Sequence, residues 1–222
     1  MSNNRILYKF PSRERPYKFF SALDNIISLA RHDNYEILAT LDINDPSMRG
    51  DEIKQRIASY EGRVRAIWGT SEGKIHACNR DLEFVGDFDI ICLHSDDMKW
   101  LVEGFDLEIL MAYEKFSGLL HIPDGYVNER LCTYTILDKA YFNKFNYLYN
   151  PEYRSVYCDS EIQDVAKILN AYKYLDKKLL QHQHFIHGFG IKDELLQRTE
   201  DPVNYQIDHD TYIRRKLINF GL

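Results

Sequence analysis

The sequence predicts an α/β fold: a mainly parallel central sheet flanked by helices, with a less regular C-terminal third. Three observations carry this expectation. Short apolar runs alternate with longer segments of helical period. The first four runs each deliver the chain into a polar turn, as parallel strands joined by helical crossovers do. No repeat, low-complexity tract or linker interrupts the 222 residues, so one domain over 1–222 is expected.

RILYKF reads as the first strand. PSRERP is a turn, and Pro16 is well placed to open a helix because its ring presets a helical φ. Phe19, Phe20, Leu23, Ile26, Ile27 and Ala30 then recur at helical spacing. YEILATLD is the second strand, ended by Asp42 and the turn-rich INDPSM. RGDEIKQRIASYEG is a polar-faced helix closed by Gly62. VRAIW is the third strand, and GTSEGKIHACNRDLEFV continues from small residues into a helix. FDIICL is the fourth strand and delivers SDDM. Beyond it, MKWLVEGFDLEILMAYEKF is helical in parts. SGLLHIPDGY reads as strand and loop, and TYTILDKAYFNKF as a strand and a short helix. SEIQDVAKILNAYKYL is an amphipathic helix with Asp159 or Ser160 near its N-cap. KLLQHQHFIHG alternates like a strand, and NYQIDHDTYIRRKLINFGL reads as a terminal helix.

Composition excludes several classes. Hydrophobic residues make up 45% of the chain, enough for a core and against global disorder. The net charge of -6 comes with no basic tract, which argues against a nucleic-acid polymer as partner. Cys78, Cys92, Cys132 and Cys158 form no CxxC pair, so neither a zinc site nor a disulfide framework is expected. No apolar run approaches the length of a transmembrane segment and no signal-like N-terminus is visible, so a cytoplasmic protein is expected.

Chemistry can reside in four places. In a sheet of this kind ligands sit beyond the carboxyl ends of the strands, where PSR, LDIND, GTSEGK and HSDD all fall. Asp96 and Asp97 are adjacent like charges that need water or a cation to screen them. They are either a solvated turn or a hard-metal site, since Mg2+ takes one or two carboxylates beside phosphates and water. His182, His184 and His187 could supply a metal ligand or sit at a core edge, with His182 and His184 on one face if the segment is extended. Asp159 and Glu161 could serve as a general base or meet a helix N-terminus. Arg13 and Arg15 could bind phosphate or be surface residues. GTSEGK lacks the spacing of a phosphate-binding P-loop, and neither GxGxxG nor GxSxG is present.

Taken in order, PSR, Asp42, GTSEGKIHACN, SDDM, DSE and the HxH segment resemble the nucleotide-sugar glycosyltransferases of family 2, which have the GT-A fold. The resemblance runs from about Ile6 to His187. It implies a metal-dependent transfer of a single sugar from a nucleoside-diphosphate sugar, UDP-linked in many members, to a hydroxyl of a glycan or other acceptor, with inversion. It assigns Pro11, Ser12 and Arg13 to the nucleotide and Asp42 to the base, with Asp45 as the alternative. Lys74 and Asn79 lie over the nucleotide and ribose, and Asp96 reaches the ribose. Asp97 and His184 hold Mn2+ or Mg2+, and Asp159, with Glu161 as alternative, acts as base. Residues 1–98 would form the nucleotide-binding half and 99–222 the acceptor half. The sequence departs from the family in DINDPS and DSE, and it lacks the QxxRW segment of processive synthases. A sugar nucleotidyltransferase and a non-catalytic nucleotide-sugar or glycan-binding module remain alternatives.

Overall fold

The computed structural model describes residues 3–189 and 192–222. In chain order the elements are β1 (Ile6–Ser12), α1 (Pro16–Leu29), β2 (Tyr35–Asp42), α2 (Asp51–Ala58), β3 (Val64–Gly69), α3 (Lys74–Asn79), β4 (Ile90–Leu93) and β5 (Met98–Trp100). They continue with α4 (Phe105–Tyr113), β6 (Leu119–His121), β7 (Ile136–Asp138), α5 (Lys139–Phe145), α6 (Cys158–Ile168), β8 (Tyr172–Tyr174), β9 (Leu180–His182), α7 (Glu194–Thr199) and α8 (Pro202–Leu217). Seven strands form one sheet in the order β3-β2-β1-β4-β7-β6-β8, and β5 and β9 form a separate ribbon. β1 pairs parallel with β2 and β4, β2 with β3, and β6 with β8. β7 runs antiparallel between β4 and β6. The sheet is therefore mixed but mostly parallel.

The strand period places two cores on the two faces. Ile6, Tyr8 and Phe10 point to one face, where they pack with Phe19, Leu23 and Ile26 of α1 and Phe105 and Ile109 of α4. Leu7 and Ile91 point to the other, against Ile75 and Cys78 of α3, Tyr141 of α5 and Ala166 of α6. Each of the Leu, Ile and Phe side chains among these contributes about 1.5–3 kcal/mol when fully buried. β1 is buried along almost its whole length, as befits a central strand covered on both faces.

Several elements differ from the sequence expectation. Met98–Trp100 is a strand rather than the start of a helix, because it pairs antiparallel with Leu180–His182. The helix of SEIQDVAKIL stops before Asn170, whose φ of 52° breaks it, and Tyr172–Tyr174 becomes an added strand beside β6. The residue capping that helix is Tyr157, at φ 60°, and neither Asp159 nor Ser160 occupies the N-cap. α2 ends at Ala58, four residues before Gly62. His184 lies beyond the end of β9 and precedes a short 3-10 turn over Phe185–His187. The last two helices follow ordinary capping chemistry: Asp193 accepts from the Leu196 amide and Asp201 from the Asn204 amide. Among the described residues no helix is long and apolar enough to cross a membrane, and all four cysteines are buried free thiols.

Candidate active site

The carboxyl ends of β1, β2, β3 and β4 open into a cleft of about 980 Å³. Its far wall comes from the tail: α6 contributes Asp159, the segment after β9 contributes His184, and α7 and α8 contribute Leu196, Arg198 and Tyr205. Pro11, Ser12, Arg13, Asp42, Lys74, Asn79, Asp96, Asp97, Asp159 and His184 all line this space. The sequence therefore named a set that the fold brings together, apart from Glu161.

The two motif carboxylates sit in different electrostatic settings. Asp96 accepts from the Ser12 hydroxyl at 3.1 Å and from the Arg15 guanidinium at 2.8 Å. Burial, then the charge of Asp97, pushes its carboxyl up to about 6 despite Arg15. Asp97 is also buried, which alone would raise it, yet His182 and the Ser95 hydroxyl outweigh burial and hold it below the usual carboxylate range. His182 stands between two carboxylates, Nε2 at 3.6 Å from Asp97 and Nδ1 at 3.7 Å from Asp124. Burial works against its charge, but Asp124 and Asp97 prevail and lift the imidazole to about 9. Asp124 is itself fixed by the backbone amides of Tyr126, Val127 and Asn128 and by the Thr133 hydroxyl. The β5–β9 ribbon sets this row of groups, because Met98 lies opposite His182.

At the other end, Asp42 accepts from Arg13 at 2.8 Å and from the Asn44 amide at 2.9 Å. Asp45 accepts from the Glu14 and Ser47 amides and does not line the cleft, so of the two only Asp42 can face a ligand. Asn79 spends its carboxamide on the backbone of Leu148 and Tyr149, and so shapes the cleft wall. Lys74, the first residue of α3, lines the cleft, and although burial works against the charge of its ammonium, the neighbouring Cys158, Cys78, Asp159 and Asp97 prevail and raise it.

Asp159 and Glu161 part company. Asp159 lines the cleft, and burial raises its carboxyl although Lys74 pulls the other way. Glu161, two residues on, turns inward. It receives Nε and Nη2 of Arg215 at 2.7 and 2.9 Å and the Tyr153 hydroxyl at 2.7 Å. A helix separates side chains at i and i+2 by about half a turn, so one carboxylate faces the cleft while its neighbour ties α6 to α8.

Sequence reasoning gave too little weight to Arg15, His182 and Asp124. Arg15 bridges Asp96 to both oxygens of Asp193 and thereby latches the start of α7 to the first loop. The period-two spacing of His182 and His184 was the available signal for His182; Asp124 carried only the Asp-Gly turn signal. His184 is buried and meets Glu200 through Nε2 at 3.2 Å. Among the described residues no three His, Cys, Asp or Glu side chains converge as a metal-holding group.

No protein-family model matches this chain, and no curated protein matches it in sequence. Solved structures do match in shape. The mannosyltransferase PcManGT of Pyrobaculum calidifontis, in complex with GDP-Man and Mn2+, superposes with a TM-score of 0.63 at 12% identity, over 80% of this chain and 55% of that one. Residues 1-349 of TarS from S. aureus, in complex with UDP, give 0.60 at 16% identity over 95% and 71%. The 4-diphosphocytidyl-2C-methyl-D-erythritol synthase of Anaerococcus prevotii gives 0.54 at 14% over 78% and 87%. The fold is that of the GT-A-type glycosyltransferases. The chain spans about half of the mannosyltransferase and 36% of the longer TarS chain.

Proposed function

We propose that this protein transfers a single sugar from a nucleoside-diphosphate sugar, UDP-linked by the family resemblance, to a hydroxyl of a glycan or other acceptor, with inversion at the anomeric carbon. The observation that carries the reading is the convergence of Asp42, Asp96, Asp97, Lys74 and Asp159 on one cleft at the carboxyl edge of a GT-A sheet. Asp42 and Arg13 suit the base, Asp96 the ribose, and Lys74 the diphosphate. Asp159 is the general base: its raised basicity favours taking the proton of the acceptor hydroxyl. As that proton leaves, the acceptor oxygen bonds to the anomeric carbon from one face. The bond to the diphosphate oxygen breaks on the other, and the leaving group keeps the electron pair.

A divalent ion fits the donor set in a limited way. Asp97 supplies an ionised carboxylate at the cleft, and Mg2+ or Mn2+ ordinarily completes such a site with substrate phosphates and water. Asp97 would hold it, with His184 as the second protein ligand once released from Glu200. Bound there, the ion would act as a Lewis acid on the diphosphate. The Mn2+ of the mannosyltransferase neighbour supports this reading.

Donor turnover tests the proposal. Release of nucleoside diphosphate supports it. Release of pyrophosphate from a nucleoside triphosphate supplied with a sugar phosphate instead supports a nucleotidyltransferase, a reading favoured by the likeness to the erythritol synthase, 87% of which is spanned. Binding without turnover supports a nucleotide-sugar-binding module. Asp97→Ala is expected to abolish metal-dependent donor binding; unchanged calorimetric affinity with Mn2+ refutes the metal assignment. Asp159→Asn should leave donor affinity intact and slow transfer by about 100-fold or more, and wild-type turnover would move the base elsewhere.

A further inference from the structure

β1 carries one residue that its packing does not ask for. Leu7 and Lys9 lie on the same face of the strand, and Leu7 joins the apolar core there. Lys9 is 0% exposed. Its ammonium bonds the hydroxyl of Thr40 on the adjacent strand β2, and that hydroxyl donates to Asp81 Oδ2 at 2.9 Å. Arg80 grips both oxygens of Asp81 at 2.8 and 2.7 Å. Arg80 also reaches the Ser71 hydroxyl at 2.9 Å and the Leu41 carbonyl at 2.7 Å. Two cations thus share one buried carboxylate. A lysine is almost never fully buried without cause, and replacing a whole buried charged cluster by apolar groups of like volume is often neutral or stabilising, although removing one partner alone is costly.

The cause lies at the nucleoside end of the cleft. Thr40 lines it beside Asp42, and so does Ser71. A hydroxyl has one hydrogen and two lone pairs. In Thr40 the hydrogen is committed to Asp81 and one lone pair to Lys9, so only an acceptor pair is left to offer. We infer that Lys9 is a positioning residue, acting through Thr40 to preset an acceptor beside the Asp42 carboxylate for an N–H or O–H donor of the nucleoside. The inference rests on the nucleotide-sugar reading and adds a specificity device to it. A ligand edge with only acceptors would meet two acceptors there. Burial draws the Lys9 ammonium down to about 8 while Asp81 opposes that fall, so the amine is still charged at neutral pH and holds the hydroxyl's orientation.

The test is calorimetric titration of the intact protein with UDP and with GDP, alongside its melting temperature, for wild type, Lys9→Met, Thr40→Val and Thr40→Ser. The expected result is a fall of about tenfold or more in the nucleotide affinity of the folded protein for Lys9→Met and Thr40→Val, with a lowered melting temperature because each removes one partner of a buried charged cluster, and near-normal binding for Thr40→Ser. A merely structural lysine would lower the melting temperature and spare the affinity of the folded protein. Wild-type affinity in folded Lys9→Met or Thr40→Val overturns the inference, and Thr40→Val, which alters no charge, decides the matter should Lys9→Met fail to fold. Wild-type protein that binds neither nucleotide overturns the nucleotide-sugar reading itself, and the inference with it.

Discussion

His121 shows how much a single side chain can say about conditions for stability. It is buried at the end of β6, with Nδ1 2.7 Å from the Tyr172 hydroxyl. Burial pulls its imidazole down to about 4, against an ordinary value near 6.5. The unfolded chain therefore binds a proton in a range where the folded chain does not. The stability this contributes is complete above about 6.5 and is lost as pH falls toward 4. His121→Asn is expected to flatten the loss of stability between those limits, by up to about 1.4 kcal/mol per pH unit. Urea unfolding at a series of pH values measures it, and parallel curves for the two proteins would contradict it. At this scale the sequence revealed residue types and their order, which sufficed for Asp96, Asp97 and Asp42. Burial and partner choice were out of reach. Nothing in DSE says that Glu161 will meet Arg215 54 residues later.

Between elements, the chain uses buried carboxylates as fasteners. Asp208 of α8 is 0% exposed and accepts from the backbone amides of Arg154, Ser155 and Val156, each at 2.8 Å. Those residues lead directly into α6, so Asp208 sets where Asp159 stands. Asp208→Ala is expected to cost about 3 kcal/mol, because three buried amides lose a charged acceptor. It should also lower transfer activity in protein that remains folded. Denaturant unfolding and single-turnover assays measure the two effects. Long, strongly patterned elements such as α1 and β2 could be read from spacing alone. β9 showed in the alternation of KLLQHQH, whereas β5 and β8 could not be read, since each has three residues and a period cannot be seen in so few. Their extended state is imposed by the strands they pair with, a non-local cause.

Taken whole, the molecule closes its cleft with its own tail. Arg15 holds Asp193, Arg198 holds Glu14 at 2.6 Å, and His184 meets Glu200. On the proposed function, nucleotide seated against Arg13, Asp42 and Asp96 would contact the loops to which α7 is tied. UDP binding is therefore expected to slow amide hydrogen exchange in residues 194–205 as well as in the strand-end loops. Protection confined to the strand-end loops would show that the tail is not coupled to the donor site. Exchange measured by mass spectrometry resolves the two segments.

The β5–β9 ribbon has a consequence for how the protein comes into being. Asp97 emerges from the ribosome some eighty residues before His182, the group that holds it ionised, and Tyr205 of the cleft wall follows later still. Strands β1 to β4 can assemble early, but the cleft they open into lacks a wall until the tail has been made. A nascent chain arrested before β9 would carry the SDDM motif without the side chains that charge and enclose it. On the proposed function, such truncated products should be inert toward nucleotide.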